Sequence, residues 1–158
     1  TPASGHRPQK RGGEDKALGR SRGGLTTKVH LLANGDGKPI RFRITGGERS
    51  DYAEALPLLE GCQAQAVIAD KGYDSDTIVN HIVGMRADCV IPSRRHRRQQ
   101  RNFNRDLYKR RNLIERCFNR LKQFRRLATR YCKLKIAFSA TVALACSWIH
   151  LLEYVDTA

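Results

Sequence analysis

Acidic residues are scarce in this chain. Its 158 residues hold 15 Asp+Glu against 30 Lys+Arg, a net charge of +15. A polyanion, nucleic acid above all, is the partner such a balance implies, with a basic membrane-surface protein as the competing reading. Cysteine is sparse and unpatterned. Cys62, Cys89, Cys117, Cys132 and Cys146 are odd in number, form no C-x-x-C pair and make no Cys/His cluster at zinc-ligand spacing. Neither a disulfide scaffold nor a zinc site is expected, and a reducing, cytoplasmic setting is. No secretory signal opens the sequence, and it contains a single long apolar run, Ile136 to Leu152. Ser139, Thr141, Ser147 and His150 interrupt that run, and it falls short of the roughly 20 residues of a membrane span. A buried terminal helix is expected there, with Phe138 and Trp148 in the core, and no membrane partner. One Trp, five Phe and five Tyr in a composition 40% apolar suit one modest globular core and argue against disorder.

The charge is not spread evenly. From Arg86 to Lys135 there are 18 Lys/Arg and three acids, Asp88, Asp106 and Glu115, while the rest of the chain holds 12 of each. One segment thus carries the whole excess, as a surface that docks phosphates does. Within it, Arg94-Arg95-His96-Arg97-Arg98 is expected to track a phosphate backbone without sequence preference.

The pattern along the chain is that of an α/β protein. Residues 1–24 form a basic Gly/Arg-rich arm without apolar period. Leu25 to Ala33 and Pro39 to Thr45 alternate as strands, the second with Ile40, Phe42 and Ile44 on one face, and Asn34-Gly-Asp-Gly37 between them is a hairpin turn. Asp51 to Glu60 reads as a short helix with Ala53, Leu56 and Leu59 inward. Ala66 to Asp70 is an apolar run ending in an acid, the signature of a buried parallel strand. Asp74 or Ser75 is placed to cap a helix through Arg86 that carries Ile78, Ile82 and Val83 inward, and Cys89 to Ile91 is a further strand. A long helix from about Asn104 to Arg126 and an apolar one from about Ala137 to Tyr154 close the chain. Hairpin followed by strand–helix–strand implies a mixed sheet covered by helices.

The long helix is the most informative element. At about 100° per residue, Tyr108, Arg111, Glu115 and Lys122 fall within a roughly 60° arc, beside an apolar face of Leu107, Leu113, Ile114, Cys117, Phe118, Leu121 and Phe124. Glu115 therefore lies at the edge of the core-facing stripe, where a carboxylate reaches a cleft yet stays hydrated. Asp70 ends an apolar strand, and ligands of open α/β sheets sit beyond the carboxyl ends of strands. Two carboxylates converging in so basic a protein suggest a divalent cation bound by hard oxygen ligands, with phosphoryl transfer as its chemistry.

Ala69-Asp-Lys-Gly-Tyr-Asp-Ser75 resembles the second-aspartate motif of bacterial insertion-sequence DDE transposases. Tyr108-x2-Arg111-x3-Glu115-x6-Lys122 matches their Y-x2-R-x3-E-x6-K signature at every spacing. The flanks Gly19 to His30, Thr45-Gly-Gly47 and Asn119 to Arg126 are similar too. The resemblance implies an RNase H-like mixed sheet flanked by helices over residues 25–158. It implies Asp70 and Glu115 as catalytic, metal-binding acids holding Mg²⁺ or Mn²⁺, two ions in the intact site. It implies Tyr108, Arg111 and Lys122 contacting transposon-end DNA or positioning the glutamate, and a homo-oligomeric, nucleoid-associated complex that cuts transposon ends and joins them to target DNA. The family's first aspartate stands in a D-S-T-type motif on the first strand, and this sequence has none. Asp15, Asp36 and Asp51 are poor substitutes, lying in the arm, in the hairpin turn and at a helix start where capping explains it. A domain without its first strand and first acid is expected, a truncated or frameshift-separated reading frame that binds DNA without cutting it. The alternative is a non-enzymatic basic nucleic-acid-binding protein, to which divalent metal and Asp70 are irrelevant. His30 and His81 are read as structural.

Overall fold

Three strands built on alternating side chains begin the described part of the chain. These are β1 (Gly19–Ser21), β2 (Gly24–Ala33) and β3 (Pro39–Gly46), in the antiparallel order β1-β2-β3. The computed structural model describes residues 17–21, 24–129 and 134–155, so Asp15 and most of the basic arm lie outside it. Within the arm, Gly19–Ser21 is a strand paired with Gly24–Thr26 rather than irregular chain. The β2–β3 turn follows from Asn34. Its Oδ1 accepts the amides of Asp36 (3.0 Å) and Lys38 (2.9 Å), and Gly37 supplies the φ of +82° that closes the loop.

Register is regular from Thr27↔Gly46 to Leu32↔Arg41 and then shifts, with Ala33 opposite Pro39. Ile40 is the extra residue of that bulge and is swung 55% into solvent, so it does not share the buried face of Ile44 as alternation predicted. After β3 the chain passes so close to β2 that a Cβ on Gly47 would stand 1.8 Å from Thr26 Oγ1. Its amide donates to the Thr26 carbonyl at 2.9 Å.

A 3-10 turn over Asp51–Glu54 leads into α1 (Ala55–Leu59). Because three residues per turn rather than 3.6 set the phase at its start, Ala55, Leu58 and Leu59 face inward while Ala53 is exposed. Glu54 is buried and accepts from Arg43 Nε at 2.6 Å. Then come β4 (Ala66–Ile68), a 3-10 turn (Lys71–Tyr73), α2 (Asp76–Gly84) and β5 (Asp88–Val90), with β4 and β5 parallel. Ile78 and Ile82 of α2 are buried and Val83 is exposed. Together with Ala55, Leu59, Ala87 and Ile91 they form one core, under the β4–β5 pair.

The expected long helix is segmented. It runs as α3 (Arg105–Tyr108), a 3-10 turn through Arg111, α4 (Asn112–Gln123) and α5 (Arg125–Ala128). The break falls at Phe124, whose ψ of 102° leaves the helical region. The last helix, α6 (Lys135–Val155), lays Phe138, Val142, Ala145, Cys146 and Ile149 on Ile44, Cys117 and Leu121 to make a second core. His150 Nε2 donates to the Pro39 carbonyl at 2.7 Å, tying α6 to β3. By length and composition α6 is apolar enough to cross a membrane, but here one of its faces is core. The opposite face is not. Trp148 is 52% exposed beside exposed Leu144 and Leu151, so its expected core role is corrected. Among the described side chains of this helix a stripe of five is buried, while Ile136, Leu144, Trp148, Leu151 and Leu152 are exposed.

Ile149 is wholly buried. Ile149→Ala is expected to cost about 2–5 kcal/mol, and Trp148→Ala under about 1 kcal/mol, both measured as shifts in urea unfolding midpoints at unchanged slope.

Candidate active site

Between the hairpin and the β4–β5 pair lies a cavity of about 440 Å³ whose wall includes Lys28 to Leu32 of β2, Val67 to Asp70, Tyr73, and Arg111, Ile114, Glu115 and Phe118. Asp70 and Glu115, 45 positions apart in the sequence, both line it. Asp70 stands at the carboxyl end of β4 and also begins the next turn, its Oδ1 accepting the Gly72 amide at 2.6 Å. The capping and cleft-facing readings of this residue are therefore compatible: one oxygen holds the turn.

Glu115 comes from the first turn of α4. Its Oε1 pairs with Arg111 Nη2 at 2.8 Å across one helical turn. The Arg111 guanidinium carbon lies 5.7 Å from the centre of the Tyr108 ring. Tyr108 in turn packs edge-on against Phe103, centroids 5.4 Å apart. The 3-10 segment does not disturb the shared arc: Tyr108, Arg111 and Glu115 form a contiguous stack. Lys122 is exposed, two turns further along α4, and lies outside the cavity wall. Arg110 Nη2 donates to the Gly35 carbonyl at 2.9 Å, fixing the helix start to the hairpin turn.

Three more groups complete the wall. Asp51 was expected to act as a helix cap, yet Ser50 occupies the cap position and Asp51 instead lines the cavity, 3.1 Å from Lys28 Nζ. Only the β2–β3 pairing carries it there, so no local pattern gave it away. His30, read from the sequence as structural, also lines the cavity: it is buried, with Nε2 2.7 Å from Thr45 Oγ1. Burial lowers its pKa against the raising influence of Asp51 and Glu54 and keeps the ring neutral at pH 7. Tyr73 has its hydroxyl pushed up to about 12, first by burial and then by Asp51 and Asp70.

The donor set is one of hard oxygens, which suits Mg²⁺ or Mn²⁺ rather than zinc. Among the described residues, however, no three Asp, Glu, His or Cys side chains converge closely enough to make a ligand set by themselves. Asp70 and Glu115 offer part of a coordination shell.

The basic loop after β5 divides into two roles. Arg94 donates through Nη2 to the Gly72 carbonyl (2.7 Å), through Nε to the Lys71 carbonyl (3.2 Å), and through its amide to Asp74 Oδ2 (2.8 Å). Arg97 bonds Asp74 and Asp76, each at 3.0 Å, and Arg101 pairs with the same two carboxylates. Arg95 and Arg98 are exposed. The expectation that all four arginines of this run face a phosphate backbone is thus narrowed, because Arg94 and Arg97 are spent on the turn that follows Asp70. Nor does Asp74 cap α2; Ser75 holds the cap position and Asp74 is buried among arginines.

Along Lys28–Leu32 the strand β2 pairs with β3 on one edge, and among the described residues no strand pairs with the other. That edge and the edge of β4 both face the cavity and its continuation of about 550 Å³, which runs past Ala33, Gln65 and Leu113. This is why β4 is half-buried rather than buried as its apolar sequence predicted.

Carboxylates from a strand tip and from a helix thus share one cleft with Lys28 and Arg111, an oxygen-donor set that would suit a divalent cation. Comparison with known proteins makes the assignment specific. The family described as the transposase DDE domain matches residues 1–149. A protein named as a transposase for insertion sequence element IS6501, from Brucella ovis, is 37% identical over 129 residues, covering 80% of this chain and 99% of its own length. Another, for IS402 of Burkholderia cepacia, is 28% identical over 135 residues, covering 78% of this chain, and the match spans 62% of the relative. No solved structure matches the chain. The chain belongs to the DDE transposase family, whose members are enzymes of DNA transposition.

Asp74 also makes the site sensitive to acid. Burial raises its pKa, but the Arg94 amide, the Arg97 hydrogen bond and the charges of Arg101 and Arg97 outweigh burial and hold it below the usual value. A depressed folded-state pKa contributes stability above pH ~4 that is lost as pH falls through the folded value. Asp74→Asn is expected to lower stability at pH 7 by about 1.5–3 kcal/mol and to flatten the acid limb of a stability-versus-pH curve measured by urea unfolding.

Proposed function

We propose that this chain supplies the catalytic acids of an insertion-sequence transposase that cuts at transposon ends and joins the freed 3′-hydroxyl to target DNA. The observation that carries this reading is the presence of Asp70 and Glu115 on one cavity wall, delivered by a strand tip and by a helix. These two carboxylates hold a divalent metal, Mg²⁺ or Mn²⁺. When bound, such ions, paired in the complete site, activate water and offset charge on the phosphate. Arg111, stacked on Tyr108, fixes the Glu115 side chain through Oε1. Lys122, Arg95 and Arg98 contact the DNA backbone, with Tyr108 and Arg111 at the edge of the same surface.

The open edges of β2 and β4 support an RNase H-like sheet in which a further strand lies between them. Its neighbours would be antiparallel β2 and parallel β4, giving one continuous mixed sheet in place of two small ones. A carboxylate at the end of that strand would be the third acid, next to Asp70. DNA transposition further calls for two ends held together, which supports a homo-oligomer on nucleoid DNA.

In a transposition assay with the element's own ends, Asp70→Asn and Glu115→Gln are expected to reduce strand transfer to background while leaving DNA binding intact. Transfer at the normal rate in either variant refutes the assignment and leaves a basic nucleic-acid-binding protein. Lys122→Ala is expected to weaken DNA binding and to reduce the slope of log K against log[salt] by about one, read by fluorescence anisotropy.

A further inference from the structure

The turn that carries Asp70 is short and exposed. Lys71–Tyr73 is a single 3-10 turn, and its Gly72 amide holds Asp70 Oδ1 at 2.6 Å. It makes the Tyr73 amide to Asp70 carbonyl bond at 3.0 Å and the Asp74 amide to Lys71 carbonyl bond at 3.3 Å. The Lys71 and Gly72 carbonyls also accept from the guanidinium of Arg94, 22 to 23 residues later in the chain. Arg94 does not reach them freely. Its own amide is held at 2.8 Å by Asp74, a carboxylate whose side chain is 1% exposed. That carboxylate is in turn bonded by Arg97 and Arg101. Ser93 Oγ accepts the Arg101 amide at 2.8 Å and closes the loop on itself.

We infer that Arg94, locked in place by Asp74, is a positioning residue that clamps the Asp70 turn to the basic loop 93–101. The inference rests on the reading of Asp70 as a metal ligand, and extends it to how that ligand is held. The planar fork of arginine matters, because two N–H groups in fixed geometry span two successive carbonyls and a lysine ammonium is a point donor. Arg94 is exposed, so its removal leaves both cores untouched, whereas its loss frees a turn whose remaining bonds are local. The loop that offers Arg95 and Arg98 to solvent is then mechanically continuous with the acid that binds metal.

The test uses the full chain, ¹⁵N-labelled, with two readouts: exchange of the Gly72 amide, which donates to Asp70 Oδ1 at 2.6 Å, and Mn²⁺-induced broadening of resonances around Asp70 and Glu115. Arg94→Ala is expected to speed Gly72 exchange about tenfold or more and to raise the Mn²⁺ concentration for half-broadening several-fold. Exchange at Ile82 and Ile149 should not change. Arg94→Lys should fall between the two, and Asp74→Asn, should it prove less stable overall, is to be compared at matched global stability. Unchanged Gly72 exchange in Arg94→Ala overturns the clamp. Absence of Mn²⁺ broadening at Asp70 in the unaltered chain overturns the metal reading beneath it, independently of exchange.

Discussion

Among the described residues, Lys28–Leu32 of β2 and Ala66–Ile68 of β4 each have one edge with no strand paired to it, and both segments line the cavity. Backbone N–H and C=O groups withdrawn from water require partners, and here the partner groups of each edge are not the other edge. The hairpin and the parallel pair therefore build separate cores, one under α4 and α6, the other around α1 and α2. What joins them is side-chain chemistry. Arg41 Nη1 donates to the carbonyls of Leu58 and Glu60 at 2.8 and 2.6 Å, and Arg43 pairs with buried Glu54. Both arginines reach from β3 to the segment after it.

Arginine is used in two ways, and exposure alone does not separate them, since Arg43, Arg94 and Arg110 are exposed yet bonded within the fold. Arg41, Arg43, Arg94, Arg97, Arg101 and Arg110 all bond specific carbonyls or carboxylates of the fold. In contrast Arg116, Lys122, Arg125 and Arg126 stand exposed along α4 and α5. The net charge of the basic segment counts both kinds alike, so it overstates the phosphate-facing surface. The break at Phe124 matters for the second kind: it turns Arg125 and Arg126 off the axis of α4 and so curves the cationic face.

Period and spacing made the architecture legible where one element decides its own outcome. The hairpin, with its Asn-Gly-Asp-Gly turn, is local chemistry, and so is the Tyr108–Arg111–Glu115 stack, since residues three and four apart on a helix meet whatever surrounds them. Errors fell where a neighbour decides. Ile40 was displaced by a bulge that depends on pairing with Ala33, Ala53 by a 3-10 start, and Trp148 by the limited width of the core that α6 covers. Asp51 and the Arg94–Asp74 network were illegible for the same reason. Each depends on residues roughly 20 positions away across a turn, and an Asp beside a helix start looks identical whether it caps the helix or faces a cleft.

The sign of charge inside the cavity argues for what it holds. Acids outnumber bases on its wall, Asp51, Asp70 and Glu115 against Lys28 and Arg111, while burial lowers the His30 pKa. The chain as a whole carries +15, so phosphate is drawn to the protein by its surface but meets a wall of its own sign at the cleft. A cation resolves that conflict, since it is attracted to the acids and presents positive charge to the phosphate. The burial of Tyr73 beside Asp51 and Asp70 works in the same direction: its hydroxyl stays protonated and adds no further negative charge. A wall with one acid fewer would approach neutrality and hold a divalent ion poorly. The opposing positions of Lys28 and Arg111 thus have a limited task, to steady Asp51 and Glu115 one each, leaving Asp70 without a cationic side chain bonded to it among the described residues.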